Sequence, residues 1–156
     1  MLEYQIYIEN VDNPLKRKDE TIVFFEKEGF KLKTERENAL VFQRGNIFQN
    51  FFVFNPLKWK SLIIVEFEEK TIVVNSTVNT IGQKVMESEK HTWRVFLKNY
   101  KDLITQNDYD ENLGKAVLTF AHKNRRNEYK NTIIRLIVGL LVGAIGTFII
   151  KIKLKQ

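Results

Sequence analysis

The sequence predicts an α+β fold. An antiparallel curved sheet of about five to six strands is packed by an N-terminal helix and C-terminal helices, and one C-terminal transmembrane helix follows. Three observations predict it. Short apolar runs between Phe30 and Val78 are punctuated by turn residues, as consecutive antiparallel strands require. Trp93, Phe96, Leu97, Tyr100, Leu103 and Ile104 recur at helical spacing and form a stripe that suits a sheet face. Thr132–Ile150 is an apolar run long enough to cross a bilayer.

Taken in order, Leu2–Ile8 alternates Tyr4, Ile6 and Ile8 with Glu3, Gln5 and Tyr7, the pattern of a half-buried strand. Asn13-Pro14 signals a helix start, with Asn as cap and Pro at the first helical position. The helix runs to about Glu28. Gly29 supplies the left-handed stop, and Phe30 packs back on the last turn. Strands follow at Phe30–Thr34, Ala39–Arg44, Ile47–Phe54, Ser61–Phe67 and Thr71–Val78, with Gly45-Asn46 as a hairpin turn. Phe51–Phe54 and Leu62–Val65 are apolar on both faces, which predicts cover on both sides of the sheet. A helix begins near Ser88, and Asn107–Asp110 breaks it. Leu113, Ala116, Val117, Phe120 and Ala121 form the apolar face of a last helix that leads into the anchor.

The apolar run carries the topology. Twelve of the nineteen residues 132–150 are Leu, Ile, Val or Phe. At about −0.3 to −0.6 kcal/mol each they supply about −5 kcal/mol, against a cost of about 3 kcal/mol for a central Arg. Arg135 is not central and can snorkel to headgroups. Upstream lie Lys115, Lys123, Arg125, Arg126, Lys130 and Arg135, downstream only Lys151, Lys153 and Lys155. Excess Lys/Arg marks the cytoplasmic side. The expected organisation is a cytoplasmic domain over 1–112, a basic juxtamembrane helix over 113–131, a single-pass span over 132–150 and a short basic tail over 151–156, which makes a tail anchor. Lys123, Arg125, Arg126, Lys130 and Arg135 are the expected headgroup contacts. Gly139, Gly143 and Gly146, with Thr147, place small residues along one helix face, where a second copy could pack closely as a homodimer.

The formal charge of +6 does not imply nucleic-acid binding, because of where it sits. Residues 1–112 hold 16 Lys/Arg against 18 Asp/Glu; residues 113–156 hold 9 against Glu128 alone. The basicity is juxtamembrane, where anionic lipids are the natural partner. Membrane lipids are thus expected partners and nucleic acid is not; no protein partner can be named.

Motifs for chemistry are absent. There is no cysteine, hence no disulfide, thiol catalysis or cysteine zinc site. Gly114-Lys115 lacks the earlier Gly and following Ser/Thr of a phosphate loop. His91 and His122 have no carboxylate at metal-ligand spacing, and none of Ser61, Ser76 and Ser88 lies in GxSxG. Asp108, Asp110 and Glu111 lack the Gly and distal Glu of a calcium loop. The N-terminus has no basic start or apolar stretch and is not a signal peptide. No catalytic residue, metal or cofactor is expected.

Two functional readings remain. The first is a membrane-anchored, non-enzymatic cytoplasmic domain serving as a protein-interaction or scaffold module. The second follows from the element order, which resembles helix-grip folds, where a curved sheet and terminal helix enclose apolar ligands. That reading predicts a binder of a lipid or apolar small molecule, with Phe42, Phe48, Phe51, Phe52, Phe54 and Trp59 lining an apolar pocket or interface.

Overall fold

The computed structural model describes residues 1–53, 55–106, 119, 123, 126–127 and 130–139, with the backbone alone at 49, 51 and 52. The chain divides into two units, Met1–Ala121 and His122–Gln156.

In the first unit the order is β1 (Leu2–Glu9), α1 (Lys18–Lys27), β2 (Lys31–Arg36), β3 (Ala39–Arg44), α2 (Ile47–Phe52), β4 (Ser61–Phe67), β5 (Thr71–Val78) and α3 (Glu87–Gln106). Short 3₁₀ turns precede α1 at Pro14–Arg17 and β4 at Pro56–Lys58. The five strands form one antiparallel sheet in the order β1-β5-β4-β3-β2. Thus α1 carries the chain from one sheet edge to the other, and the remaining strands fill in between.

The ends of α1 show why it starts and stops there. Asn13 adopts φ 51°, and its side chain makes no cap hydrogen bond. Its carbonyl instead accepts from the Lys16 amide at 3.0 Å. The entry is therefore a 3₁₀ turn closed by backbone, not the expected Asn side-chain cap; asparagine tolerates the left-handed conformation that aims the carbonyl this way. At the other end Gly29 takes φ 85°. The Phe30 amide donates to the Phe25 carbonyl at 2.9 Å and the Gly29 amide to that of Glu26 at 2.8 Å, a Schellman closure. The Phe30 and Phe25 rings meet edge to face, 5.7 Å between centroids. As expected, glycine stops this helix and Phe30 folds back on it.

The core lies between the sheet and both long helices. From the sheet come Ile8, Leu40, Phe42, Ile63, Val65, Ile72 and Val74; α1 adds Phe24 and Phe25; α3 adds Trp93, Phe96, Leu97, Tyr100 and Ile104. The rings interlock. Phe25 lies 4.7 Å from Phe42 and 5.0 Å from Tyr100, and Phe30 lies 5.8 Å from Phe96. Contacts in this range add about 0.5–1.5 kcal/mol per pair beyond burial. The Glu89 carboxylate, itself buried, accepts the Met86 amide at 2.9 Å and so caps the start of α3.

One expected strand is a helix. Residues Ile47–Phe52 form α2, and Gly45 begins a loop, not a hairpin. Both sides of β3 are already occupied by β2 and β4, with Arg44 opposite Ser61, so the intervening chain has no ladder to join. Asn50 holds this excursion in place. Fully buried, it donates through Nδ2 to the Asn79 carbonyl and accepts the Lys60 amide on Oδ1, both at 2.8 Å. Two indoles close the loop from within: Trp59 Nε1 donates to the Val53 carbonyl and Trp93 Nε1 to that of Pro56.

Cover on both faces is not what the described residues show. Along β4, Ser61, Ile63, Val65 and Phe67 are buried, while Leu62 is 39% and Tyr7 of β1 51% exposed on the opposite face. Both long helices pack on the first of these faces.

In the second unit residues 130–139 form a continuous helix. Among the described residues no helix is long and apolar enough to cross a membrane. Residues 140–150 of the expected span, the tail 151–156 and residues 107–118 lie outside the described residues.

Candidate functional site

At one end of the sheet, where β2 begins and β3 ends, the surface opens into a cleft of about 360 Å³. Lys31, Lys33 and Arg44 line it, with Gly29, Gln43 and Gly45. Register explains the assembly. Lys31 stands opposite Gln43, and β2 bulges between Leu32 and Thr34, so Lys33 falls at the irregularity. Bulges commonly re-aim a side chain at a sheet edge. The Schellman turn delivers Gly29 to the same place, two residues before Lys31. Gly45, at φ 67°, turns β3 away so closely that a Cβ there would sit 2.8 Å from the Lys58 carbonyl oxygen.

Arg44 is the unusual member. Its guanidinium carbon lies 5.2 Å from the centroid of the Phe30 ring, a cation–π arrangement. Burial lowers its pKa from the ordinary arginine value, and the Glu28 carboxylate nearby acts in the opposite sense. Its Nη1 is buried and has no hydrogen-bond partner among the described residues. The hydroxyl of Ser61, opposite Arg44 in the ladder, is in the same position. Two buried polar groups without partners on facing residues are uncommon in a folded protein.

The second feature is the helix at 130–139. Ile133, Ile134, Leu136, Ile137 and Val138 are all more than half exposed. These residues spread over more than half of the helix circumference, and the remaining sector holds Thr132, Arg135 and Gly139. Of the expected headgroup residues, Lys123, Arg126, Lys130 and Arg135 are exposed, and Arg125 lies outside the described residues. Gly139 has nothing within 4 Å of where a Cβ would stand. Gly143, Gly146 and Thr147 lie outside the described residues.

The six aromatics of the expected pocket have separate surroundings. Phe42 and Trp59 are fully buried, while Phe48 is 81% exposed. The side chains of Phe51 and Phe52, and all of Phe54, lie outside the described residues. Where a helix-grip fold would hold a ligand, between the sheet and α3, the rings of Phe24, Phe25, Phe42, Phe96 and Tyr100 are in mutual contact.

Among the described residues no group of three His, Asp or Glu side chains could hold a metal ion. Sequence reading missed the basic cleft. Lys31 and Lys33 fall within the expected strand Phe30–Thr34, and Arg44 ends the expected strand Ala39–Arg44. The available signal was Gly29, which ends a helix two residues before an edge strand whose first and third residues are lysine.

No family model matches the chain, and no curated protein matches it closely enough to stand as a relative.

Proposed function

We propose that this chain is a membrane-anchored interaction or scaffold module, single-pass through residues 132–150, whose α+β domain stands on the cytoplasmic side and carries no catalysis. The observation that carries the anchor is the helix at 130–139, whose Ile133, Ile134, Leu136, Ile137 and Val138 are all exposed. Five large aliphatic side chains within six residues are costly to leave in water, at about 25 cal/mol per Å² of apolar surface. A bilayer is the environment that removes that cost. Basic residues on the N-terminal flank support the cytoplasmic orientation.

The module reading rests on the lack of any catalytic pattern in the sequence. Self-association through Gly139, Gly143, Gly146 and Thr147 is part of the proposal, because small residues let two helices approach closely in lipid.

Extraction of cell membranes with alkaline carbonate tests the anchor. The full chain stays with the membrane pellet and floats with lipid on a density gradient. Release into the supernatant to the same extent as a peripheral marker contradicts the proposal.

A further inference from the structure

The cleft at the end of the sheet lies in the first unit, and its chemistry is specific. Three cations line it, and the carboxylate that acts on Arg44, Glu28, is not among the lining residues. Two of its walls are glycines, so the backbone there is not screened by side chains. A Cβ at Gly29 would lie 3.7 Å from both Cζ and Nη2 of Arg44, so the guanidinium plane stands against that bare wall. Arg44 is partly removed from water, which destabilises its charge. Its buried Nη1 and the facing Ser61 hydroxyl lack partners among the described residues.

We propose that this cleft binds a phosphate group. Arg44 is the central donor, because its planar fork matches two phosphate oxygens at once. Lys31 and Lys33 flank it as mobile point charges that neutralise the remaining oxygens. An anion in the cleft offsets the desolvation of its charge. The volume, about 360 Å³, suits a phosphate with part of the molecule that carries it, at the lower end of ordinary ligand sites. The phosphate could belong to a lipid headgroup or to a soluble compound; the recognition chemistry is the same.

Two structural roles account for parts of this cluster. Lysines on an edge strand discourage strand-to-strand aggregation, and a cation near the end of α1 complements its dipole. Neither role calls for three cations around one cleft, and neither predicts saturable binding.

The test uses the full chain in dodecyl maltoside micelles, with unfolding followed by tryptophan fluorescence. Inorganic phosphate is titrated against chloride at constant ionic strength. The site predicts a saturable rise in Tm. Lys31 and Lys33 are exposed, so the double variant K31Q/K33Q keeps the fold and weakens the apparent phosphate affinity by at least about tenfold. R44K keeps the charge, loses the fork and weakens it further. A second arm dopes the micelles with dioleoylphosphatidic acid or dioleoylphosphatidylcholine. Stabilisation by phosphatidic acid that disappears in K31Q/K33Q, at concentrations where inorganic phosphate has little effect, assigns the site to a headgroup. Saturation by inorganic phosphate with no further effect of lipid assigns it to a soluble phosphate. A Tm that follows ionic strength alone in both arms overturns the proposal, as does a double variant that responds like the native chain.

Discussion

The Tyr100 hydroxyl lies 2.9 Å from Thr21 Oγ1, a buried hydrogen bond that ties α3 to α1 across 79 residues of sequence. Thr21 also reaches the Arg17 carbonyl at 2.7 Å. The pair is a polar pin in a core of rings and aliphatic side chains. Tyr100→Phe keeps the ring contacts with Phe24 and Phe25 and removes the bond. It should cost about 1 kcal/mol, read as a lower urea midpoint with an unchanged m-value.

The same residue sets a pH dependence. Burial pushes the Tyr100 phenol above the ordinary tyrosine value of 10.0; the Thr21 hydrogen bond lowers it and Glu20 raises it further. The folded state therefore holds this proton to higher pH than the unfolded chain. Its contribution is complete below 10.0 and is lost as pH rises toward the folded value. Denaturation midpoints of the native protein should fall more steeply above that pH than those of Tyr100→Phe. Parallel curves would contradict this.

Two glycines should respond unequally to alanine. Gly29 has room for a methyl group, with Arg44 atoms at 3.7 Å, so only its positive φ resists. Gly29→Ala should cost about 1–2 kcal/mol. Gly45 has the same kind of backbone conformation, but an added Cβ meets the Lys58 carbonyl oxygen at 2.8 Å and the Lys60 amide nitrogen at 3.0 Å. Backbone cannot yield as a side chain does, so Gly45→Ala should be clearly the more destabilising of the two. Thermal unfolding of both variants, side by side, decides.

Asn50→Ala should be among the costlier polar substitutions. It strips partners from the Lys60 amide and the Asn79 carbonyl at once. Each buried group left unpaired costs about 1–3 kcal/mol. Hydrogen exchange should show faster exchange at the Lys60 amide in this variant, beyond the loss in global stability.

How legible was this molecule? All five strands follow from residue pattern, because β1 alternates and β3, β4 and β5 are bounded by turn residues, while β2, expected at Phe30–Thr34, runs Lys31–Arg36. The start and the apolar face of α3 were equally clear, since Trp93, Phe96, Leu97, Tyr100 and Ile104 do keep one buried face; its expected break at Asn107–Asp110 lies outside the described residues. Ile47–Phe52 was misread because Phe51 and Phe52 suit a strand locally, whereas the pairing of β3 with β4 leaves this segment no ladder. Tertiary pairing overrode local propensity. The basic cleft was illegible for a related reason. Gly29, Lys31 and Lys33 are close in sequence, but Arg44 ends the next strand, and only the pairing of β2 with β3 brings it to them. Arg44 was read only as the last residue of a strand, yet it stacks on Phe30.

Pairing through the anchor makes its own prediction. Gly143→Ile fills the small-residue face with a branched side chain, and close approach of two helices becomes impossible. Crosslinked dimer recovered from membranes should drop about tenfold or more. Unchanged crosslinking would remove self-association from the proposal and leave anchoring untouched.

The most direct test of the anchored-module account uses the chain's lack of cysteine. Single cysteines placed at Ile81 in the domain, Gly143 in the proposed span and Gln156 beyond it give a clean background for a membrane-impermeant maleimide. In intact cells the account predicts labelling at 156 alone. Opening the cells exposes 81, and 143 reacts only after detergent. Labelling of 143 in intact or opened cells without detergent would contradict a span, and labelling of 81 from outside would reverse the orientation.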